Sequence, residues 1–109
     1  MKPEKLNKFI AQMKIELADA EAKHPHFADG LSERSAGNVK FNLKAMRDIN
    51  GKPPYMADRI LSEEVFEAIA AYQEKDLVPA QQELAQCGAV ILRTMEMLEN
   101  EIENAEGAK

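Results

Sequence analysis

Apolar residues recur at three- and four-residue steps along most of the chain, which is the period of an amphipathic helix. The pattern predicts four helices, at about residues 3–23, 38–49, 55–75 and 80–103. Asn38 is a candidate N-cap for the second helix, because its side chain can accept a backbone N–H. The sequence therefore predicts an all-α fold, a helical bundle of about four helices in a single domain over residues 1–109.

Short breaker sequences separate the predicted helices. A His-Pro-His loop follows the first helix, and Asn50-Gly51 with the Pro-Pro pair after it follows the second. Asp76 to Pro79 are predicted to form the turn before the last helix. Few apolar residues remain over about 104–109, so this end is predicted to fray.

The composition limits the core and the cellular setting. Four Phe, two Tyr and no Trp occur in 109 residues, so the core must be mostly aliphatic and modest in size. The single Cys87 excludes an intrachain disulfide and favours a reducing compartment. The chain shows neither a signal peptide nor a run of membrane-spanning length, so we expect a cytoplasmic protein without a membrane partner.

The net charge of −5 is unevenly distributed. Residues 1–33 carry −1, residues 34–59 carry +4 and residues 60–109 carry −8. No long region is uniformly basic, which argues against binding of polymeric nucleic acid. A basic segment beside an acidic one fits a site where carboxylates bind cations and basic side chains receive an anion.

Acidic residues crowd the apolar stripes of the last two predicted helices. Glu63, Glu64 and Glu67 lie on one flank of the third helix, because each residue advances by about 100° around the axis. Glu83 and Gln86 lie on a flank of the fourth helix. If these helices pack antiparallel, the flanks face each other and offer oxygen ligands that suit Mg²⁺ or Mn²⁺. A solvated acidic face would give the same pattern, and the residues alone leave both interpretations open.

Basic residues that could receive a phosphate lie mainly on the second predicted helix. Lys40, Lys44 and Arg47 stand at positions i, i+4 and i+7 and share one face. Arg93 on the last helix could also balance phosphate charge. A solvated surface is the alternative for all four.

The segment Glu63-Glu64-Val65-Phe66-Glu67, followed by Glu83-Leu84-Ala85-Gln86, resembles the MazG-like family of nucleoside triphosphate pyrophosphohydrolases. That all-α family carries an EExxE motif and then an ExxD motif on successive helices. The resemblance implies that Glu64, Glu67 and Glu83 are ligands of Mg²⁺ or Mn²⁺. Gln86 stands where the family usually has Asp, and its amide oxygen can coordinate a metal without adding charge.

The resemblance also implies a reaction and an assembly. A nucleoside triphosphate, with deoxynucleotides expected, is hydrolysed to monophosphate and pyrophosphate, and Glu63 is a candidate to take the proton of the attacking water. The core is expected to be completed in a homodimer or homotetramer. The alternatives are a non-catalytic helical module that binds nucleotide or a protein partner, and a plain helical oligomerisation domain with solvated acids.

Overall fold

The computed structural model describes residues 1–107, which form four α-helices. They are α1 (Pro3–Lys23), α2 (Ala36–Asn50), α3 (Ala57–Gln73) and α4 (Leu77–Gly107). The predicted all-α fold is confirmed. Among the described residues, no helix has the length and apolar character needed to cross a membrane.

The starts of α2 and α4 differ from those that the sequence predicts. Ser35, not Asn38, is the N-cap of α2, and its hydroxyl accepts the Asn38 backbone N–H at 3.1 Å. Helix α4 begins at Leu77, so the predicted turn at Asp76 to Pro79 is mostly helical. Proline is tolerated there because N–H groups in the first turn have no intrahelical acceptor. Helix α4 also continues to Gly107, beyond the predicted start of fraying at 104, and residues 108–109 lie outside the described residues.

A tight hydrogen-bonded turn ends α3 and reverses the chain into α4. The Lys75 N–H donates to the Tyr72 carbonyl at 3.0 Å, and the Asp76 N–H donates to the Ala71 carbonyl at 3.0 Å. These are the two bonds of a Schellman motif, which usually has Gly at the left-handed position. Here Lys75 occupies that position, with φ of 63°. The motif sends α4 back from the end of α3 after a very short connection.

The chain divides into two compact units. The terminal unit contains residues 1–29 and the chain from Leu92 onward, and the central unit contains Gly30–Ile91. In the terminal unit, α1 and the end of α4 are joined by polar contacts, among them Lys8 to Glu99 at 2.7 Å. In the central unit, α2 and α3 pack against each other around the buried side chains of Val39, Leu43, Ala68 and Ile69.

Much of the apolar pattern remains exposed in a single copy. Of the stripe predicted on α1, Phe9 is buried, but Leu17 is 59% exposed. On α4, four of the exposed apolar residues are spaced mostly by seven: Leu84, Ile91, Leu98 and then Ile102 are 44%, 39%, 49% and 52% exposed. Each unit thus leaves apolar side chains of α4 exposed, and these four residues are called the α4 stripe below.

Candidate metal site

Three carboxylates come together on one side of α3. Oxygen atoms of Glu63, Glu64 and Glu67 lie within 4.8 Å of one another, and all three residues are half-buried. Their spacing of one, three and four residues places them on adjacent positions of the helix surface. The next positions, Ala68 and Ile69, are buried in the central unit. The acids are therefore held at the edge of the core, as the sequence predicts.

Helix α4 brings Glu83 and Gln86 to the same place. When the amide nitrogen of Gln86 points to the carboxylates, it donates to Glu64 Oε2 at 2.8 Å and to Glu83 Oε2 at 3.2 Å. With the amide reversed, its oxygen faces the same two carboxylates, and either a cation or a proton on a carboxyl group must then lie between the oxygen atoms. Gln86 is thus able to act as a donor in a metal-free site and as a neutral ligand in a loaded one.

The electrostatic surroundings penalise negative charge. Burial and then the charges of Glu67, Glu83 and Glu63 raise the pKa of Glu64 above its usual value. Burial also raises the pKa of Glu83, together with a hydrogen bond to Glu67. Such shifts show that the deprotonated cluster lacks enough positive charge to balance it. A bound cation would supply that charge.

Helix α2 contributes two donors to the cluster. Arg47 Nη2 donates to Glu67 Oε1 at 3.3 Å, and Asn50 Nδ2 donates to Glu63 Oε1 at 3.0 Å. Arg47 is thus the predicted phosphate-binding residue that the fold brings to the acids. Sequence reasoning missed Asn50, which it treated as part of a helix-breaking pair. The available signal was its position three residues after Arg47, on the same face of the helix.

The other three predicted phosphate-binding residues have different immediate surroundings. Lys44 pairs with Asp48 on its own helix at 2.8 Å, and both are exposed. Lys40 lines an open cleft of ≈ 330 Å³ between α2 and α3, with Leu43 and Ala70 among its walls. Arg93 is exposed and belongs to the terminal unit, whereas the cluster belongs to the central unit.

The donor set fits a hard divalent cation. Carboxylate and amide oxygens are the ligands that Mg²⁺ and Mn²⁺ prefer, and the 4.8 Å within which the three α3 carboxylates lie is close to the width of one coordination sphere, about 4–5 Å. The nearby Cys87 is buried, and burial and the charge of Glu64 raise the pKa of its thiol. A neutral thiol is a poor ligand for such ions, so the oxygen atoms define the site.

Searches of protein-family models, of curated proteins and of solved structures found no match to this chain.

Proposed function

We propose that the chain hydrolyses nucleoside triphosphates to monophosphate and pyrophosphate in a metal-dependent reaction of the MazG-like type. One observation carries the proposal: half-buried carboxylates of α3 converge within 4.8 Å of one another and meet two further oxygen-bearing side chains from α4. Crowding of this kind is costly unless a cation or protons compensate it.

The residues have distinct roles in this proposal. Glu64, Glu67, Glu83 and the amide oxygen of Gln86 would hold Mg²⁺ or Mn²⁺. The bound ion would supply positive charge at the phosphates and lower the pKa of the attacking water. Glu63, which Asn50 holds in place, accepts the proton of that water.

Arg47 is the basic residue best placed to bind the triphosphate. Its guanidinium contacts Glu67, yet its side chain is 55% exposed and keeps donors available. A metal ion at Glu67 would weaken that contact and leave the guanidinium free to form bidentate hydrogen bonds with phosphate oxygens. Deoxynucleoside triphosphates are the substrates we expect.

The test is an assay of pyrophosphate release from a panel of nucleoside and deoxynucleoside triphosphates, with Mg²⁺ or Mn²⁺. We expect metal-dependent release that is lost in Glu64→Gln and Glu67→Gln. Glu99→Gln is the matched control, because Glu99 is an equally exposed acid in the terminal unit. Release that continues in the α3 variants would contradict the proposal.

A second candidate function is a non-catalytic module that binds nucleotide or a protein partner. The contacts from Gln86, Arg47 and Asn50 favour it, because they satisfy the carboxylates partly without an ion. This candidate predicts that nucleotide raises the melting temperature while no pyrophosphate forms.

We also propose that the α4 stripe is covered in a homodimer or homotetramer. Half-exposed Leu and Ile side chains spaced by seven residues are typical of helices that pack against other helices. Light scattering should then show a mass above that of one 12.2 kDa chain. Ile91→Lys with Leu98→Lys should shift the protein to monomer, whereas Ile15→Lys on α1 should not. A wild-type chain of monomer mass would contradict the assembly.

A further inference from the structure

Asn50 is the last residue of α2 and is partly buried. Its side-chain nitrogen donates twice, to the backbone carbonyl of Arg59 at 3.1 Å and to Glu63 Oε1 at 3.0 Å. An amide nitrogen has two hydrogens, so both bonds can form at once. Reversing the amide would place its oxygen against two acceptors, and the orientation is therefore determined by the contacts themselves.

The two bonds join the end of α2 to two positions on α3. The carbonyl of Arg59 belongs to the first turn of α3, one turn before Glu63. Asn50 is thus fixed to the backbone of α3 and holds one carboxylate oxygen of Glu63, which would otherwise rotate about several side-chain bonds. Holding a side chain of this length by a preorganised donor removes rotamer freedom that a ligand would have to order.

Asn50 and Arg47 have different effects on the charge of the glutamates that they contact. Arg47 brings a positive charge to Glu67, so a cation binding at Glu67 must compete with it. The Asn50 amide is neutral and leaves the full negative charge on Glu63. The hydrogen bond engages Oε1 and leaves the lone pairs of Oε2 to a second ligand.

We propose that Asn50 is a positioning residue of the metal site, which fixes the Glu63 carboxylate beside Glu64 and Glu67 without neutralising it. This inference rests on the proposed function for its metal and its reaction, but the contact between Asn50 and Glu63 can be tested without either.

The metal-free arm measures the coupling between the two side chains. Asn50→Asp has nearly the same shape but places a carboxylate against Glu63 Oε1, so we expect a lower urea midpoint than in wild type. Glu63→Gln in the same chain should restore much of the loss, because it removes the repulsion. The native bond itself is measured by a cycle of Asn50→Ala and Glu63→Ala, neither of which adds a charge, and no coupling in that cycle would overturn the inference whatever the metal does.

The metal arm measures Mn²⁺ affinity by electron paramagnetic resonance, and turnover where wild type is active. Asn50→Ala should lower kcat by about 10-fold, because Glu63 is no longer held where it accepts the proton, while KM and Mn²⁺ affinity should change much less. Asn50→Asp should gain more thermal stability from Mn²⁺ than wild type does. Asn42→Ala is the control, since that α2 amide donates within its own helix, to Asn38.

The outcomes distinguish the positioning role of Asn50 from the proposed function. A kcat of Asn50→Ala equal to that of wild type would overturn the positioning role and leave the proposed function standing. Failure of wild type to bind Mn²⁺ at all would overturn the proposed function and, with it, the role of Asn50 at a metal.

Discussion

Glu67 and Glu99 have the same side-chain exposure, 21%, and each contacts one cation, yet their electrostatic surroundings are opposite. Glu67 meets Arg47 at 3.3 Å and has two further glutamates of its own helix within 4.8 Å. Glu99 meets Lys8 at 2.7 Å on a helix pair where Lys5 also faces the acids of α4. The surroundings of Glu67 and Glu99 differ in the number of acids that share each basic side chain. The exposed fraction of the two glutamates would not reveal this difference.

The pKa shifts of Glu64 and Lys8 show the same difference between the two regions. Burial and neighbouring carboxylates raise the pKa of Glu64, which means that its charge is unfavourable. The hydrogen bond and charge of Glu99 raise the pKa of Lys8, which means that its charge is favourable. Only the first arrangement would gain from an added cation. Among the described residues, the acids of α3 thus lack a balancing charge, whereas Glu99 has one in Lys8.

Removing acids from the two regions should have very unequal effects on turnover. Glu64→Gln and Glu67→Gln should each lower pyrophosphate release by on the order of 100-fold or more, because charge at the phosphates loses its stabilisation. Glu99→Gln should change it by less than about 2-fold. Comparable losses in all three variants would mean that the central cluster has no special role.

The pH dependence of stability should also separate the regions. A carboxyl group with a raised folded-state pKa contributes stability that is fully present below its unfolded value, near 4.5, and is lost as pH rises through the folded-state value. We therefore expect the urea midpoint of the metal-free protein to fall over that interval, and saturating Mg²⁺ to remove the fall. Glu64→Gln should flatten the profile, whereas Glu99→Gln should keep it. A profile that Glu64→Gln leaves unchanged would contradict the origin proposed for it.

Gln86→Asp should increase the excess of negative charge in the central cluster. A charged oxygen ligand replaces a neutral one, so Mn²⁺ affinity should rise by about 10-fold. The metal-free protein should lose about 1 kcal/mol, because the donor to Glu64 and Glu83 is replaced by a like charge. Calorimetric titration and urea unfolding measure the two effects, and Gln82→Asp on the same helix is the control. An unchanged Mn²⁺ affinity would place Gln86 outside the metal site.

The smallest effects should come from the lysine contacts. Lys8→Ala should lower the urea midpoint only slightly, and 1 M salt should reduce that loss, because exposed ion pairs are strongly screened. Lys44→Ala removes the exposed pair with Asp48 and should cost a similar or smaller amount. Urea unfolding at two salt concentrations measures both. A salt-insensitive loss at Lys8 would show that packing of its side chain matters more than its charge.

Local rules account for what the sequence predicted well. Helical periodicity located the four helices, since each is defined by side chains three and four residues apart. The same rule placed the acids of α3 on one flank. The starts of α2 and α4 were less accurate, because Ser35 and Asn38 are both good caps and a proline can end a turn or begin a helix.

The tertiary structure determines which side chain of α2 contacts which acid. Lys44 and Arg47 share one face of α2, yet Lys44 bonds to its own helix and Arg47 bonds to α3, because only Arg47 lies opposite an acid of the packed helix. Asn50 became a donor to Glu63 for the same reason. By itself the sequence determined the helices and the faces of their side chains, since these depend on neighbours along the chain. Which acids meet which donors depends on how α2, α3 and the start of α4 pack, and residue spacing within one helix does not encode that.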